Sequence, residues 1–317
     1  MELSNDRERL PNNYEEEIKM LRSLYSGVSG MKNLQVKMDV VSNNIANVNT
    51  TAFKSSRVMF QDMMNQTVAN ATAPEGNTGG VNAKQIGLGV QVGSIDTMTG
   101  TGASQTTGRA LDFYIAGSGY FMVQGSGANP VTYYTRDGAF LRDSNGNLTN
   151  SAGMKVLGRT STNLTTPTEY DSNTPDAGIS AKGTTGALVI PSSITVKGQV
   201  VNFSTMAVDA NGLVTAKYGD KTYTMGKVSI ATFNNPEGLE HAGGNNYIVS
   251  NNSGAAIVGG AGDNGSGKLQ PGALEMSNVD LSTEFTEMII ANRAYQANSR
   301  SITTSDEMLQ ELINLKR

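Results

Sequence analysis

The chain contains no cysteine, no tryptophan and a single histidine, His241, among its 317 residues. Without cysteine it can form neither a disulfide framework nor a thiolate metal site. One histidine is too few for a histidine-rich metal centre, and the sequence has no nucleophile-elbow, P-loop or dinucleotide-binding motif. We therefore expect no enzyme activity, no catalytic residues and no bound cofactor.

A partial calcium-loop pattern lies in the middle of the chain. Asp143, Asn145 and Asn147 surround Gly146, but Met154 stands where such a loop needs a bidentate acid. Asn-Gly is also a common tight-turn dipeptide. We therefore predict a turn at this point and no metal site.

Charged residues are scarce: they make up 16% of the chain, and the net charge is −4. That charge favours neither nucleic acid nor an anionic membrane as a partner. The sequence has no run of 18 apolar residues, so we expect no transmembrane helix. Residues 1–19 are highly charged and lack the apolar stretch of a signal peptide. If the protein leaves the cytoplasm, we expect a route without a cleaved signal.

What the sequence does contain is an apolar residue at every seventh position near each end. The residues of the two lines are Leu24, Met31, Met38 and Ile45, and then Leu281, Met288, Tyr295, Ile302 and Leu309. A strict spacing of seven is typical of helices that pack against other helices. Since a lone helix cannot bury such a stripe, we predict that these residues form contacts between subunits of an assembly. For the second helix, an ordinary amphipathic helix lying on a β-domain is the alternative.

Between these helices the sequence has the features of a β-rich domain. Turn dipeptides such as Asp137-Gly138 and Asn211-Gly212 favour short antiparallel strands, and Gly117-Ser118-Gly119 between two apolar runs predicts a β-hairpin. We predict an α+β fold, in which discontinuous terminal α-helices form a coiled-coil-like domain and the centre is a mainly antiparallel β-rich domain. The predicted segments are a disordered extension or mis-called start before Met20 (1–19), the helical ends (20–48 and 277–317), a linker or extended segment (49–86) and the β-rich core (87–276), with a small or absent outer insertion at about 158–227.

Three motifs in this sequence resemble those of one protein family. Residues 42–54, Ser-Asn-Asn-Ile-Ala-Asn-Val-Asn-Thr-Thr-Ala-Phe-Lys, resemble the amino-terminal signature of bacterial flagellar rod and hook proteins. Residues 272–281, Gly-Ala-Leu-Glu-Met-Ser-Asn-Val-Asp-Leu, resemble their carboxy-terminal signature, and Thr135-Arg136-Asp137-Gly138-Ala139-Phe140 resembles their shared core motif. The resemblance covers residues 20–317.

This resemblance implies a structural protein of the flagellum that is exported through the type III apparatus and polymerises into a tube outside the cytoplasmic membrane. The terminal helices would line the tube. The implied partners are further copies of the chain, rod and hook–filament junction proteins, the hook cap and the export apparatus, with no nucleic acid and no insertion into a membrane.

Within the family, segments 86–92 and 107–112 are similar to hook proteins and favour a hook subunit, which would transmit torque from rod to filament as a universal joint. The short chain and an insertion at 65–85 favour the alternative, a subunit of the distal rod, which is a stiff drive shaft.

Two other classes remain open on the residues alone. A monomeric secreted adhesin or binding module would explain the abundance of Gly, Asn and Thr, but not the two seven-residue lines. A glycan hydrolase that acts during passage through the cell wall would need a pair of carboxylates in one cleft, and the sequence singles out no such pair.

Overall fold

The computed structural model describes residues 12–76, 79–127, 130–163, 167–181, 184–196 and 198–315. Within those residues it contains two α-helices, one short 3₁₀-helix and 21 β-strands, so the predicted α+β class is confirmed. Contacts divide the chain into two compact units. Of the described residues, unit 1 contains 12–46, 56–97 and 280–315, and unit 2 contains 47–55 and 98–279.

The helices and strands follow one another in an order that places the two helices at the ends. Unit 1 contains α1 (Asn12–Ala46), β1 (Ser56–Asp62), β2 (Asn65–Ala69), β3 (Lys84–Gly87), β4 (Val90–Thr97) and α2 (Leu281–Leu315). Unit 2 contains β5 (Ser104–Thr106), β6 (Phe113–Ala116), β7 (Tyr120–Gln124), β8 (Thr132–Thr135), β9 (Leu141–Arg142), β10 (Leu148–Thr149), β11 (Lys155–Thr160), β12 (Gly186–Ala187), β13 (Ser193–Val196), β14 (Gln199–Val208), β15 (Leu213–Tyr218), β16 (Lys221–Thr232), a 3₁₀-helix (Pro236–Gly238), β17 (Glu240–Gly243), β18 (Asn246–Ile248), β19 (Ile257–Gly260), β20 (Lys268–Pro271) and β21 (Ala273–Glu275).

Helix α1 begins at Asn12, before the start that the sequence predicted at residue 20. Residues 12–19, predicted as part of a disordered extension, are helical, and the prediction is corrected for them. Residues 1–11 lie outside the described residues. The reason for the difference is that Glu, Lys, Met and Leu, which dominate residues 15–21, are strong helix formers whatever their polarity.

Helix α2 begins directly after Asp280, whose carboxylate caps it. Its Oδ1 accepts a hydrogen bond from the Ser282 N–H at 3.0 Å, and its Oδ2 accepts one from the Thr283 hydroxyl at 2.8 Å. Asp280 is therefore the N-cap, and the helix begins at Leu281, four residues after the predicted start of the helical end at 277. These hydrogen bonds hold the pKa of Asp280 below its usual value. Among the described residues, neither helix has a stretch apolar enough to cross a bilayer.

The strands of unit 1 form two antiparallel pairs, β1 with β4 and β2 with β3. Segment 49–86, predicted as a linker or extended chain, therefore contains three paired strands. Helix α1 contacts this part of unit 1 through Asn33, whose side-chain amide donates to the backbone oxygen of Val90. Gly89 lies against the same helix: a Cβ atom there would be 2.3 Å from Oγ of Ser29.

Unit 2 is built on an antiparallel sheet with 13 strands among the described residues. The strand order along its main path is β13-β14-β15-β16-β11-β7-β8-β18-β17, and β6–β20 and β5–β21 form separate pairs. Segment 158–227, predicted to hold at most a small outer insertion, contributes β12 to β15 and parts of β11 and β16 to this sheet. Contacts assign this segment to the same unit as the rest of the sheet.

Both faces of this sheet are covered by hydrophobic clusters, as strand β7 shows. Phe121 and Val123 point into the larger cluster, while Tyr120 and Met122 point into the smaller one. Because successive side chains of a strand face opposite sides, an uninterrupted apolar run can serve two cores.

The hairpin predicted at Gly117-Ser118-Gly119 is wrong. Strand β6 before it pairs with β20, and β7 after it pairs with β8. The glycines serve close packing instead: a Cβ atom on Gly119, which has φ 131°, would lie 2.4 Å from Cγ2 of Ile230. The sequence could not distinguish a tight turn from a close approach of chain to side chain.

Candidate functional site: the paired terminal helices

Helices α1 and α2 pack together along a line of small and polar residues. Gly27 and Gly30 are buried on α1, and Ala291 is buried on α2. A Cβ atom at Gly27 would lie 3.0 Å from Cγ1 of Ile302, and one at Gly30 would lie 2.6 Å from Nδ2 of Asn298. Glycine therefore allows the helices to approach closely, although it lowers intrinsic helix stability by up to about 1 kcal/mol per residue.

Polar side chains contact one another along the same line. The Oγ atoms of Ser23 and Ser305 lie 3.3 Å apart, and Lys37 forms an ion pair with Glu287. Both pairs join residues that are more than 240 positions apart in the chain, so they fix how the two helices are aligned. An ion pair that stays partly exposed contributes little stability, about 0–1 kcal/mol, and its main effect here is on alignment.

Asn44 closes the far end of this line and is itself buried. Its Nδ2 donates to Oε1 of Glu284 at 2.9 Å and to the backbone oxygen of Ser56 at 2.8 Å. Its Oδ1 accepts from the Ser56 N–H at 3.0 Å. Burial raises the pKa of Glu284, and the hydrogen bond from Asn44 opposes that rise. Asn44 thus connects α1, α2 and the start of β1.

The residues of this contact line repeat every seven positions, one position away from the predicted apolar line of α1. We call them the polar seam: Ser23, Gly30, Lys37 and Asn44 on α1, and Glu284, Ala291, Asn298 and Ser305 on α2. The first half of α1 contacts the second half of α2, and the end of α1 contacts the start of α2, so the helices are antiparallel.

The terminal helices therefore pair, as the sequence predicted. The polar seam contributes to this contact, and so does Ile302 of the apolar line of α2, which lies against Gly27 of α1. The half-buried members of the two apolar lines are Leu24, Met31, Met38, Ile45, Met288, Ile302 and Leu309. Leu281 and Tyr295 are 38% and 37% exposed. Their role in contacts between subunits stays a prediction, and their accessibility is compatible with it.

Further large apolar side chains, which the seven-residue pattern missed, are exposed on the helices. Phe285, Ile289, Ile290 and Ile313 project from α2, and Ile289 is 63% exposed. The spacing of four between Phe285 and Ile289 is a signal that could have found these two residues, because residues four apart share a helix face. Large apolar side chains exposed next to one another are typical of a protein interaction site.

In unit 2, the three motifs on which the family resemblance rests meet at one buried cluster. Lys54 ends the first motif, Arg136 belongs to the core motif and Glu275 to the last. Lys54 Nζ lies 2.5 Å from Glu275 Oε1, and Arg136 Nη1 lies 3.4 Å from Glu275 Oε2. The side chains of Lys54 and Glu275 are 0% exposed. We call these three residues the charge cluster.

Neighbouring groups satisfy much of the remaining hydrogen-bonding capacity of the charge cluster. Lys54 Nζ also donates to the backbone oxygen of Gly100 at 2.7 Å, and the Gly102 N–H donates to Glu275 Oε1 at 2.8 Å. The guanidinium of Arg136 lies 5.3 Å from the ring centre of Tyr120. Burial lowers the pKa of Lys54, and the charge of Glu275 opposes that effect. Sequence reasoning did not single out these three residues, because their positions are far apart in the chain.

Three protein-family models match this chain. Residues 24–54 match the model described as flagella basal body rod protein, and residues 270–315 match the flagellar basal body rod FlgEFG protein C-terminal model. Residues 114–216 match the flagellar hook protein FlgE/F/G D1 domain. The matches therefore include most of α1, all of α2 and most of the sheet.

Curated proteins of known function are similar over nearly the whole chain. The chain is 48% identical over 300 residues to the flagellar basal-body rod protein FlgG of Bacillus subtilis, with 94% of this chain and all of that protein covered. It is 33% identical over 444 residues to the flagellar hook protein FlgE of Borreliella burgdorferi and 35% identical over 302 residues to FlgG of that organism, with the same coverage. The chain therefore belongs to the flagellar basal-body rod and hook protein family, and it is a structural component of the flagellum, not an enzyme.

Proposed function

We propose that this chain is a subunit of the distal rod of the flagellar basal body. The observation that carries the proposal is the alignment of the chain with all of the Bacillus subtilis rod protein over 300 residues. The alignments with two hook proteins extend over 444 and 466 residues, more than the 317 residues of this chain, so those hook proteins contain segments without a counterpart here. The sequence alone favoured a hook subunit, and the proposal reverses that preference.

A hook subunit is the second candidate. Segments 86–92 and 107–112 resemble hook proteins, and hook proteins of Borreliella burgdorferi and Treponema pallidum are 33% and 31% identical to this chain. Members of this family polymerise with copies of themselves, and in either position the chain would be one of many subunits in a tube that transmits torque.

The apolar residues that the polar seam leaves accessible would form the contacts between copies. They are the nine residues of the two seven-residue lines together with Phe285, Ile289, Ile290 and Ile313. Full burial of one large apolar side chain contributes about 1.5–3 kcal/mol. The seam itself buries mainly glycine, alanine and hydrogen-bonding groups, so the helix pair would gain most of its stability from neighbouring copies.

The remaining partners follow from the same position in the flagellum. Export through the flagellar type III apparatus without a cleaved signal would deliver the subunit to the growing end. Its neighbours there would be other rod proteins, hook subunits and, in the hook alternative, the hook cap and junction proteins.

Electron microscopy of isolated hook–basal bodies tests the proposal. A short epitope inserted after Asn173, in an exposed loop of unit 2, would be labelled with gold-conjugated antibody. We expect label on the straight segment below the curved hook. Label along the curved segment would instead identify a hook subunit, and unimpaired swimming of the tagged strain is the control for assembly.

A further inference from the structure

The polypeptide passes between unit 2 and unit 1 at four points, and we call the last residue of unit 2 at such a point a chain end of that unit. Three of these chain ends are Ser55, Met98 and Val279. The side chain of Asn278 joins their segments by hydrogen bonds. Asn278 Oδ1 accepts from the Ser55 N–H at 2.7 Å, and its Nδ2 donates to the backbone oxygen of Met98, also at 2.7 Å. The segments belong to the same unit although their positions in the chain differ by up to 223 residues.

Backbone hydrogen bonds complete the same connection. The Met98 N–H donates to the Ser55 oxygen at 2.7 Å, and the Asn278 N–H donates to the Phe53 oxygen at 3.4 Å. Ser55, Met98 and Asn278 therefore form a closed ring of hydrogen bonds, in which each segment is bonded to the other two. An amide is suited to this place because it has a donor and an acceptor on one rigid group.

The charge cluster lies beside this ring on the same segments. Lys54 precedes Ser55, Glu275 precedes Asn278 by three residues, and Lys54 also bonds Gly100, two residues after Met98. The Ala52 N–H donates to the backbone oxygen of Glu275 at 2.8 Å, and Ala52 has φ 58°, a left-handed conformation that is uncommon for alanine. Arg136 connects the cluster to the end of β8 and thus to the large sheet.

We propose that Asn278 and the charge cluster form a clamp that makes three chain ends of unit 2 respond to force as one body. Torque that reaches unit 2 through any of these segments would be distributed over three of them and passed to the sheet through Arg136. Without these hydrogen bonds, each segment would carry the force alone. The inference rests on the role of the subunit in a torque-carrying polymer, but it does not depend on whether that polymer is rod or hook.

The clamp predicts coupling between positions that are distant in the sequence, and hydrogen–deuterium exchange of the purified full chain measures it. Asn278→Ala removes the direct acceptor of the Ser55 amide, but the Met98 amide keeps its own acceptor, the Ser55 oxygen. We expect both amides to exchange at least ten times faster, while those of β7 keep their rates. The matched control is Asn251→Ala, at an exposed asparagine of the same unit. Unchanged exchange at Met98 would overturn the clamp.

A second variant separates the clamp from a general loss of folding. Asn278→Asp keeps an acceptor for Ser55 and removes the donor to Met98, so we expect faster exchange at Met98 than at Ser55. If Asn278→Ala fails to fold, this variant carries the test, and equal slow exchange at both amides would count against the clamp.

The mechanical part of the inference is tested in cells. Strains carrying Asn278→Ala should assemble basal bodies in normal number and lose swimming speed more steeply than the control strain as the viscosity of the medium rises. If the variant and control strains swim at equal speed at all viscosities, the mechanical role is rejected. Faster exchange of both the Ser55 and Met98 amides would then still support the ring of hydrogen bonds itself. Failure of the rod proposal would be seen separately, in the position of the gold label.

Discussion

Gly30 of α1 faces Asn298 of α2 so closely that a Cβ atom on the glycine would lie 2.6 Å from Nδ2 of the asparagine. The contact lies in the middle of the polar seam, between the Ser23–Ser305 pair and the Asn44–Glu284 hydrogen bond. The alignment of the helices is therefore set by the fit of small residues and by specific polar contacts.

Gly30→Val should weaken the pairing of α1 and α2, because the larger side chain has to displace Asn298. Overpacking of this kind costs about 1–3 kcal/mol. The loss would be measured as a lower midpoint of the helical signal at 222 nm during urea unfolding. Gln35→Val, at an exposed position of the same helix, is the control for a β-branched residue in α1. Since valine is a better helix former than glycine, helix propensity alone would raise the midpoint of Gly30→Val. A midpoint equal to or above that of the unchanged protein would show that the Gly30–Asn298 contact is unimportant.

A disulfide bond between the helices should form in the double variant Ser23→Cys/Ser305→Cys. The two Oγ atoms lie 3.3 Å apart, and the chain contains no cysteine that could compete. Oxidation of the monomer should give one faster-migrating band on a non-reducing gel, which disappears on reduction. Ser26→Cys/Ser305→Cys should give no such band at low protein concentration, and a band of equal intensity would contradict the seam.

Glu275→Gln should destabilise unit 2, because it leaves Lys54 and Arg136 buried without a carboxylate. Removing one partner of a buried ion pair costs about 3–5 kcal/mol. Urea unfolding followed by tyrosine fluorescence would measure the change, since the chain has 11 tyrosines and no tryptophan. The same substitution at Glu169, which pairs with Lys221 on the surface, should leave the midpoint unchanged. A small effect at Glu275 would mean that the charge cluster adds little stability.

Two carboxylates at the start of α2 should have pKa values shifted in opposite directions: that of Asp280 below its usual value and that of Glu284 above it. Hydrogen bonds from Thr283 and Ser282 lower the pKa of Asp280, whereas burial raises that of Glu284. The stability that Asp280 contributes is present above its unfolded pKa and is lost as pH falls through its lowered pKa. For Glu284, stability is greatest below its unfolded pKa and is lost as pH rises through the raised one.

Carbon-13 NMR of the side-chain carboxyl groups would measure both values. In Asn44→Ala the pKa of Glu284 should rise further, because the variant lacks the donor that stabilises its charged form, while Asp280 should be unaffected. A lower pKa of Glu284 in this variant would contradict the assigned hydrogen bond.

Ile289→Asp should abolish polymerisation and leave the monomer folded. The side chain is 63% exposed in the isolated chain, so a carboxylate there remains hydrated until a neighbouring copy covers it. Sedimentation would measure polymer, and circular dichroism would check the strand signal of unit 2. Asn292→Asp introduces the same charge at an exposed polar position of α2 and serves as control. Normal polymers of the Ile289 variant would place the interface elsewhere.

The sequence predicted the fold class and the family, and both are confirmed. It also predicted that the terminal helices pair, but it did not single out Gly30 and Lys37, which contact α2. The contacts between subunits that it predicted for Met31 and Met38 stay a prediction. Periodicity detects large apolar residues, and a seam of glycine, serine and asparagine has no such signal. The charge cluster could not be predicted for another reason. The sequence gives no information on which of its 24 basic and 28 acidic residues contact one another in the folded chain.

The composition of the polar seam also determines how the helix pair should behave on heating. Separating α1 from α2 would transfer glycine, hydroxyl, amide and charged groups to water together with half-buried apolar side chains such as Ile302, and the exposed polar surface offsets part of the rise in heat capacity that the apolar surface causes. Unit 2, with an apolar cluster on each side of its sheet, should unfold with a large positive heat-capacity change. A calorimetric scan of the free subunit would then contain a shallow early transition for the helices and a steep later one for the sheet, and the early transition should move upward once copies assemble.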